Sequence, residues 1–443
     1  MRGRSRGVAL LTTAALVAAV SVLTIAPASA ADQRERRSQS IRIKGDAQFT
    51  PANGVRSGSG TRADPYVISG WDVYEVNIAD TDKHVTIVDN TIDRLVLNWN
   101  GDRVTVVNNT IGDLRVNQNV RRTGAPTSGV ITNNTFRVVG QLRHFDGEFA
   151  YNRVGQSSSS LPFFTNRAVN FDGFHGSHFH HNTLYGYLEV RLHGHHHGSS
   201  YDDESHYHGP PATAHQHGQH EGHASDMGTD HTKRFHEVFV HDNTIHAEAR
   251  YALVYTDSNH RGNDRTATSE TNQELNKPHQ HWTRVHLTDN KLIGAGLKIE
   301  YFNARDDRHT NTNRGSVEVS RNDIVVRRDM NSEPFDTQHG ISVYSSVDVD
   351  LELVDNEVAY EESDDAVTRA MSNLGRFAGI SLRGFDKSDI LIARNSVTGF
   401  FYGVAAFDMT ASVFWQIVSL ETHDVSERVT YDSSVKNAPE EKP

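Results

Sequence analysis

One short motif, mostly apolar-x-apolar-x-x-Asn-x-apolar, returns ten times along this chain and sharply limits what it can fold into. It reads Val85-Thr-Ile-Val-Asp-Asn90-Thr-Ile92, then Val104-Thr-Val-Val-Asn-Asn109-Thr-Ile111, then Val130-Ile-Thr-Asn-Asn134-Thr-Phe136. Further copies centre on Asn152, Asn182, Asn243, Asn290, Asn322, Asn356 and Asn395. Each copy is a short strand with period-two alternation, a tight turn at Asn, and the start of another strand. A unit this small cannot bury its own apolar face, so copies must stack into a solenoid. The pattern predicts an all-β chain, a right-handed parallel β-helix in which Asn side chains stack at one corner and bond along the ladder. The first intervals, 19 and 25 residues, suit one coil per copy. Later intervals are longer, which predicts loops growing out of the coil. The same ladder accounts for the glycosylation-like strings Asn108-Asn109-Thr110 and Asn133-Asn134-Thr135 without a glycan.

Boundaries follow from where the motif starts and stops. Residues 1–30 carry Arg2, Arg4 and Arg6, an apolar run from Val8 to about Ile25, and Ala28-Ser29-Ala30. This reads as a secretory signal removed after Ala30, which predicts a secreted or cell-surface protein. Residues 31–83 read as a polar leader and N-terminal cap, and residues 84–407 as the β-helix. A His-rich insertion at 194–234 interrupts the helix, and residues 408–443 read as a C-terminal cap and tail. A polar stretch near 360–376 has the apolar spacing of a short helix (Ala366, Val367, Ala370, Met371, Leu374). Beyond the leader no segment is apolar enough to span a bilayer.

Composition narrows the partners. A formal charge of −12, made more acidic by losing the leader's arginines, argues against nucleic acid, whose phosphates need clustered Lys and Arg. There is no cysteine, so disulfides, thiolate catalysis and thiolate metal ligation are excluded.

The segment Gly54-Val55, Gly58-Ser-Gly60-Thr61 and Asp64-Pro65-Tyr66-Val67-Ile68, followed by the Asn-centred coils, resembles NosD-like β-helix repeat proteins. That resemblance implies the fold, and it implies a tie to metal handling, since the family includes exported proteins linked to copper supply for nitrous oxide reductase. β-Helices host many activities, so the resemblance speaks to fold more than to function.

Two features carry chemistry. Of 27 histidines, 22 fall between residues 175 and 286. Within the insertion, His195, His196, His197, His206, His208, His215, His217, His220 and His223 sit among Gly, Ser and acidic residues. Imidazole with carboxylate suits a divalent ion such as zinc or copper, and the carboxylates leave calcium open. No tight ligand spacing such as HExxH is present, and nothing calls for an organic cofactor.

The second feature is an outward stripe on the later strand of five coils. Alternation puts Leu188/Val190, Ala252/Val254, Leu297/Ile299, Ile341/Val343 and Ile380/Leu382 inside. The outward column then reads Arg191, Tyr255, Glu300, Tyr344, Arg383, with Glu189, Leu253, Lys298, Ser342, Ser381 beside it. His193 and Asp257 extend the same strands, and His260, Arg261 and Asn303 begin polar loops that leave neighbouring coils at equivalent points. Such a line can grip a chain polymer. The expectation is a secreted polysaccharide lyase acting on a uronate-containing polymer. Arg191 or Lys298 would stabilise the enolate, and His193, Tyr255 or Tyr344 would move the proton. Glu189, Asp257 and Glu300 leave a glycoside hydrolase open. A metal-handling protein or a non-catalytic surface β-helix are the competing readings.

Overall fold

The structure is a computed structural model. It describes residues 35–37, 40–99, 104–118, 129–145, 147–155, 167–173, 177–193, 233–247, 251–258, 280–302, 315–327, 339–345, 349–361, 378–433, 435 and 439–442. Among them the strands form two parallel sheets, one of 13 strands (sheet 1) and one of 22 (sheet 2). The chain is a parallel β-helix, as the repeat predicts. In a fully developed coil a sheet-1 strand (Ser177–His180) leads through the Asn turn into a short sheet-2 strand (Thr183–Tyr185). A bend follows, then a second sheet-2 strand (Tyr187–His193), and a connection returns the chain to sheet 1 at Lys233–His241.

The apolar alternation becomes continuous inward stacks. In sheet 1 one such stack runs Ile68, Ile87, Val106, Ile131, Phe149, Phe179, Val240, Leu287, Val319, Leu353, Ile392 and Ile417, each paired with the next across neighbouring strands. All are buried. At Phe149 and Phe179 the rings themselves stack, with centroids 4.9 Å apart.

The corner explains why Asn is used. The residue before each repeat Asn is left-handed, with φ between 53° and 58° from Asp89 to Arg394. That reversal aims the next backbone N–H along the solenoid axis, where the turn itself offers no acceptor. The following Asn supplies one. Each backbone N–H from Asn90 to Asn356 donates to the next Asn Oδ1 at 2.9–3.2 Å. The amide Nδ2 then donates to a carbonyl of the preceding coil, such as Asn290 to Val240 at 2.9 Å. All ten are buried, and an unpaired buried polar group would cost about 1–3 kcal/mol.

Both caps differ from expectation in where they begin. Tyr66–Ser69 is already a sheet-1 strand, and Trp71 stands at the Asn position, donating its N–H to Asn90 Oδ1 at 2.9 Å. Coiling therefore starts inside the segment expected to be cap. At the other end Phe414–Val418 is a regular sheet-1 strand paired with Asp389–Ala393. Leu420 takes the Asn place after a left-handed Ser419. The Asn signal therefore ends before the coil does. Tyr360 and Glu361 belong to the strand Glu357–Glu361, and the remainder of the expected helix lies outside the described residues. Among the described residues no helix is long and apolar enough to cross a membrane.

Candidate functional site

Sheet 2 aligns the predicted stripe from five coils, with one correction. Arg191, Glu300, Tyr344 and Arg383 lie on outward positions, with Glu189, Lys298, Ser342 and Ser381 beside them. Tyr255 does not join them. It is fully buried, together with Leu253. The cause is a bulge: Tyr251 pairs with Gly296 but Leu253 pairs with Leu297, so Ala252 is an extra residue. Side chains alternate with period two, so one inserted residue flips every later side chain to the other face. Val254 and Thr256 occupy the outward places, and Asp257 falls in register with Leu192 rather than His193.

The charges of the stripe are matched within it. Arg191 Nε donates to Glu189 Oε1 at 2.6 Å, and Lys298 is ion-paired with Glu300 on its own strand. Arg383 Nε donates to Asp408 Oδ2 at 2.9 Å. Lys298 Nζ also lies 5.4 Å from the Tyr251 ring centre and 5.6 Å from that of Tyr344. Thus Lys298, Glu300 and Tyr344 are brought together, as are Arg191 and Glu189. The backbones of His193 and Asp257 are in strands, but their side chains lie outside the described residues. His260, Arg261, Asn303 and the nine insertion histidines named as metal ligands lie outside them as well.

A second cluster stands on the outer face of sheet 1, where β alternation brings histidines from neighbouring coils into columns. His178 stacks on Phe239 at 4.5 Å, and Phe239 stacks on His286 at 4.8 Å. In the next column His180 stacks on His241 at 4.8 Å, with the rings nearly parallel. At the left-handed corner Tyr151 stacks on His181, and Asp242 occupies the same position one coil on. Ligand atoms of His181, His241 and Asp242 all lie within 4.8 Å of one another. His180 Nδ1 is 2.9 Å from His181 Nδ1, and His180 Nε2 is 3.3 Å from Glu148 Oε1. His241 Nδ1 is 2.8 Å from Asp242 Oδ2.

Burial holds His180 down to about 4, helped by the neighbouring His241, His181 and His178, and burial also lowers His178. Both imidazoles are therefore neutral at neutral pH. The sign of the linkage follows. A histidine whose folded pKa lies below its unfolded value contributes stability above pH 6.5 that is lost as the pH falls toward 4. Unfolding at pH 7 and pH 5 should show wild-type protein losing stability at the lower pH, and His180→Asn losing less. Equal losses in the two proteins would remove His180 as a cause.

Histidine density draws attention to the insertion; among the described residues the ligand-like geometry stands on the repeat itself. The repeat itself held the signal: His178-Phe-His180-His181-Asn182 and Phe239-Val-His241-Asp242-Asn243 align position for position. Stacked copies put His180 over His241 and His181 over Asp242. Compared with protein-family models, with curated proteins and with solved structures, the chain has no match.

Proposed function

We propose that the protein binds a divalent transition-metal ion on the histidine face of sheet 1, with His181, His241 and Asp242 as ligands. The observation that carries this is the convergence of their ligand atoms to within 4.8 Å. Metal–nitrogen and metal–oxygen bonds of about 2.0–2.2 Å put donors around one ion up to about 4 Å apart. Small side-chain rotations close the difference.

The hydrogen bonds favour the required tautomers. A carboxylate only accepts, so Glu148 draws the proton of His180 onto Nε2 and leaves Nδ1 as an acceptor. His181 Nδ1–H then donates to it, which leaves His181 Nε2 bare for an ion. His241 Nδ1 and Asp242 Oδ2 already face each other at 2.8 Å, so an ion that takes both as ligands would replace the proton shared between them. A carboxylate or imidazole behind a ligating histidine fixes its ring and raises its basicity. Two imidazoles with one carboxylate suit zinc, copper(II) or nickel, whereas calcium takes an all-oxygen shell.

The insertion adds to this reading through its attachment. It joins the end of Tyr187–His193 to the start of Lys233–His241, the strand that delivers His241. Its histidines are thus tethered to a strand of the candidate site, suited to capturing ions loosely that the rigid face holds more tightly. An exported metal-binding protein accounts for both features, and it agrees with the NosD resemblance of the opening segment.

The test is zinc titration of the full chain in competition with a chromophoric chelator. Losing an outer-shell partner typically costs about 10–100-fold in affinity, so losing two direct ligands should cost more. His181→Ala/His241→Ala should abolish the tightest equivalent and leave the weak sites of the insertion. Glu148→Gln should weaken that equivalent about 10–100-fold. An unchanged tight equivalent in the double variant would refute the assignment.

A further inference from the structure

The outer stripe of sheet 2 is not used by the metal reading, and it carries features that a plain solvated face does not need. Six neighbouring strands line up here, from Arg167–Gly173 to Ala378–Arg383. At about 4.8 Å per strand the row is about 24 Å long. One outward column reads Asn170, Glu189, Val254, Lys298, Ser342 and Ser381. Although these residues point away from the core, Asn170 is 6% exposed and Ser342 only 1%. The column is recessed. The parallel column of Arg191, Thr256, Glu300, Tyr344 and Arg383 is more open.

Two polar atoms in the recessed column have no hydrogen-bond partner: Asn170 Oδ1 and Ser342 Oγ. A buried polar group left unpaired costs about 1–3 kcal/mol, and a partner from outside the chain would relieve that cost. The two stand four strands apart, about 19 Å, along the same line. A single small ligand does not reach both, whereas a polymer running along the solenoid axis does. Beside Ser342, on the same strand, Tyr344 offers a half-buried ring near Lys298.

Charge decides the class of polymer. Each described cation of the stripe already faces a carboxylate: Arg191 faces Glu189, Lys298 faces Glu300, and Arg383 faces Asp408. An acidic polymer would compete with these in-strand carboxylates and gain little. Hydroxyl groups lose nothing, because a hydroxyl donates to Asn170 Oδ1 and Glu300 and accepts from Ser342, Arg191 and Lys298. We propose that this face is a binding groove for an uncharged, linear polysaccharide, held by hydroxyl hydrogen bonds from Asn170 to Ser342 and by the ring of Tyr344. The occupant is thus a neutral glycan rather than the uronate polymer that the unpaired column suggests.

The experiment is affinity electrophoresis of the full chain in gels containing a soluble mannan, xylan or β-glucan, with polygalacturonate and alginate for comparison. Retardation by at least one neutral polymer should persist at 1 M NaCl, where interactions between exposed charges are screened within about 3 Å. Tyr344→Ala should weaken binding at least tenfold. Ser342→Ala gives the sharper outcome. Removing an unpaired buried hydroxyl leaves the free protein as stable or more so, while a glycan bond that uses it is lost. Weaker binding with unchanged or raised thermal stability supports the groove. No retardation by any neutral polymer, retardation by acidic polymers alone that salt abolishes, or full affinity in Ser342→Ala would each overturn it.

Discussion

Asn290→Ala is expected to destabilise the solenoid by about 2–6 kcal/mol, a large effect for one side chain. Asn290 Oδ1 accepts from the backbone N–H of Asn243 at 3.2 Å and from its Nδ2 at 3.0 Å. Its Nδ2 donates to the Val240 carbonyl at 2.9 Å and to Asn322 Oδ1 at 3.1 Å. Alanine therefore orphans a buried N–H and a buried carbonyl in the preceding coil. Each orphan carries a penalty of about 1–3 kcal/mol. No other side chain fills the gap, because the corner is a single file and its neighbours are already bonded. Each coil contacts only its neighbours, so the damage should be local before it is global. Amide exchange should speed up first at Asn243 and in the strands Lys291–Gly294 and Lys233–His241, and urea should unfold the variant earlier. A change below 0.5 kcal/mol, or exchange that rises evenly along the chain, would mean that the ladder decorates the corner without holding it.

Tyr255→Ala should cost about 3–5 kcal/mol, as truncating a buried aromatic usually does. Among the described residues Tyr255 is the largest fully buried side chain, and it stands in line with Val190 and Ile299 inside the coil. Thr256→Ala, one residue on and outward, should change stability by less than about 0.5 kcal/mol. The pair tests the bulge directly. If alternation ran unbroken from Tyr251, the order of the two effects would reverse. Thermal unfolding of both variants settles which residue faces the core.

That bulge marks the limit of what alternation alone can assign. The strings Tyr251-Ala-Leu-Val-Tyr-Thr and Gly296-Leu-Lys-Ile-Glu-Tyr look equivalent, and both offer aliphatics at every second place. Ala252, Leu253 and Val254 are all acceptable inside a thin core. The choice fell to Leu253 and Tyr255 because together they fill more of the space between the faces of the coil. Nothing local to the strand records that volume.

The same contrast holds for the candidate sites. Repetition of the Asn motif and period-two alternation determined the β-helix, the ten-rung ladder and most inward residues. Each copy states the same local geometry, and copies that cannot bury their own faces can only stack. Tertiary structure decided what the copies do to one another. It set Glu189 against Arg191 and Glu300 against Lys298, so that a column read as charged is neutral in pairs. It also drew His181 and Asp242 to one corner, 61 residues apart along the chain and one coil apart in space. Sequence distance counts the insertion between them, whereas the solenoid counts only turns.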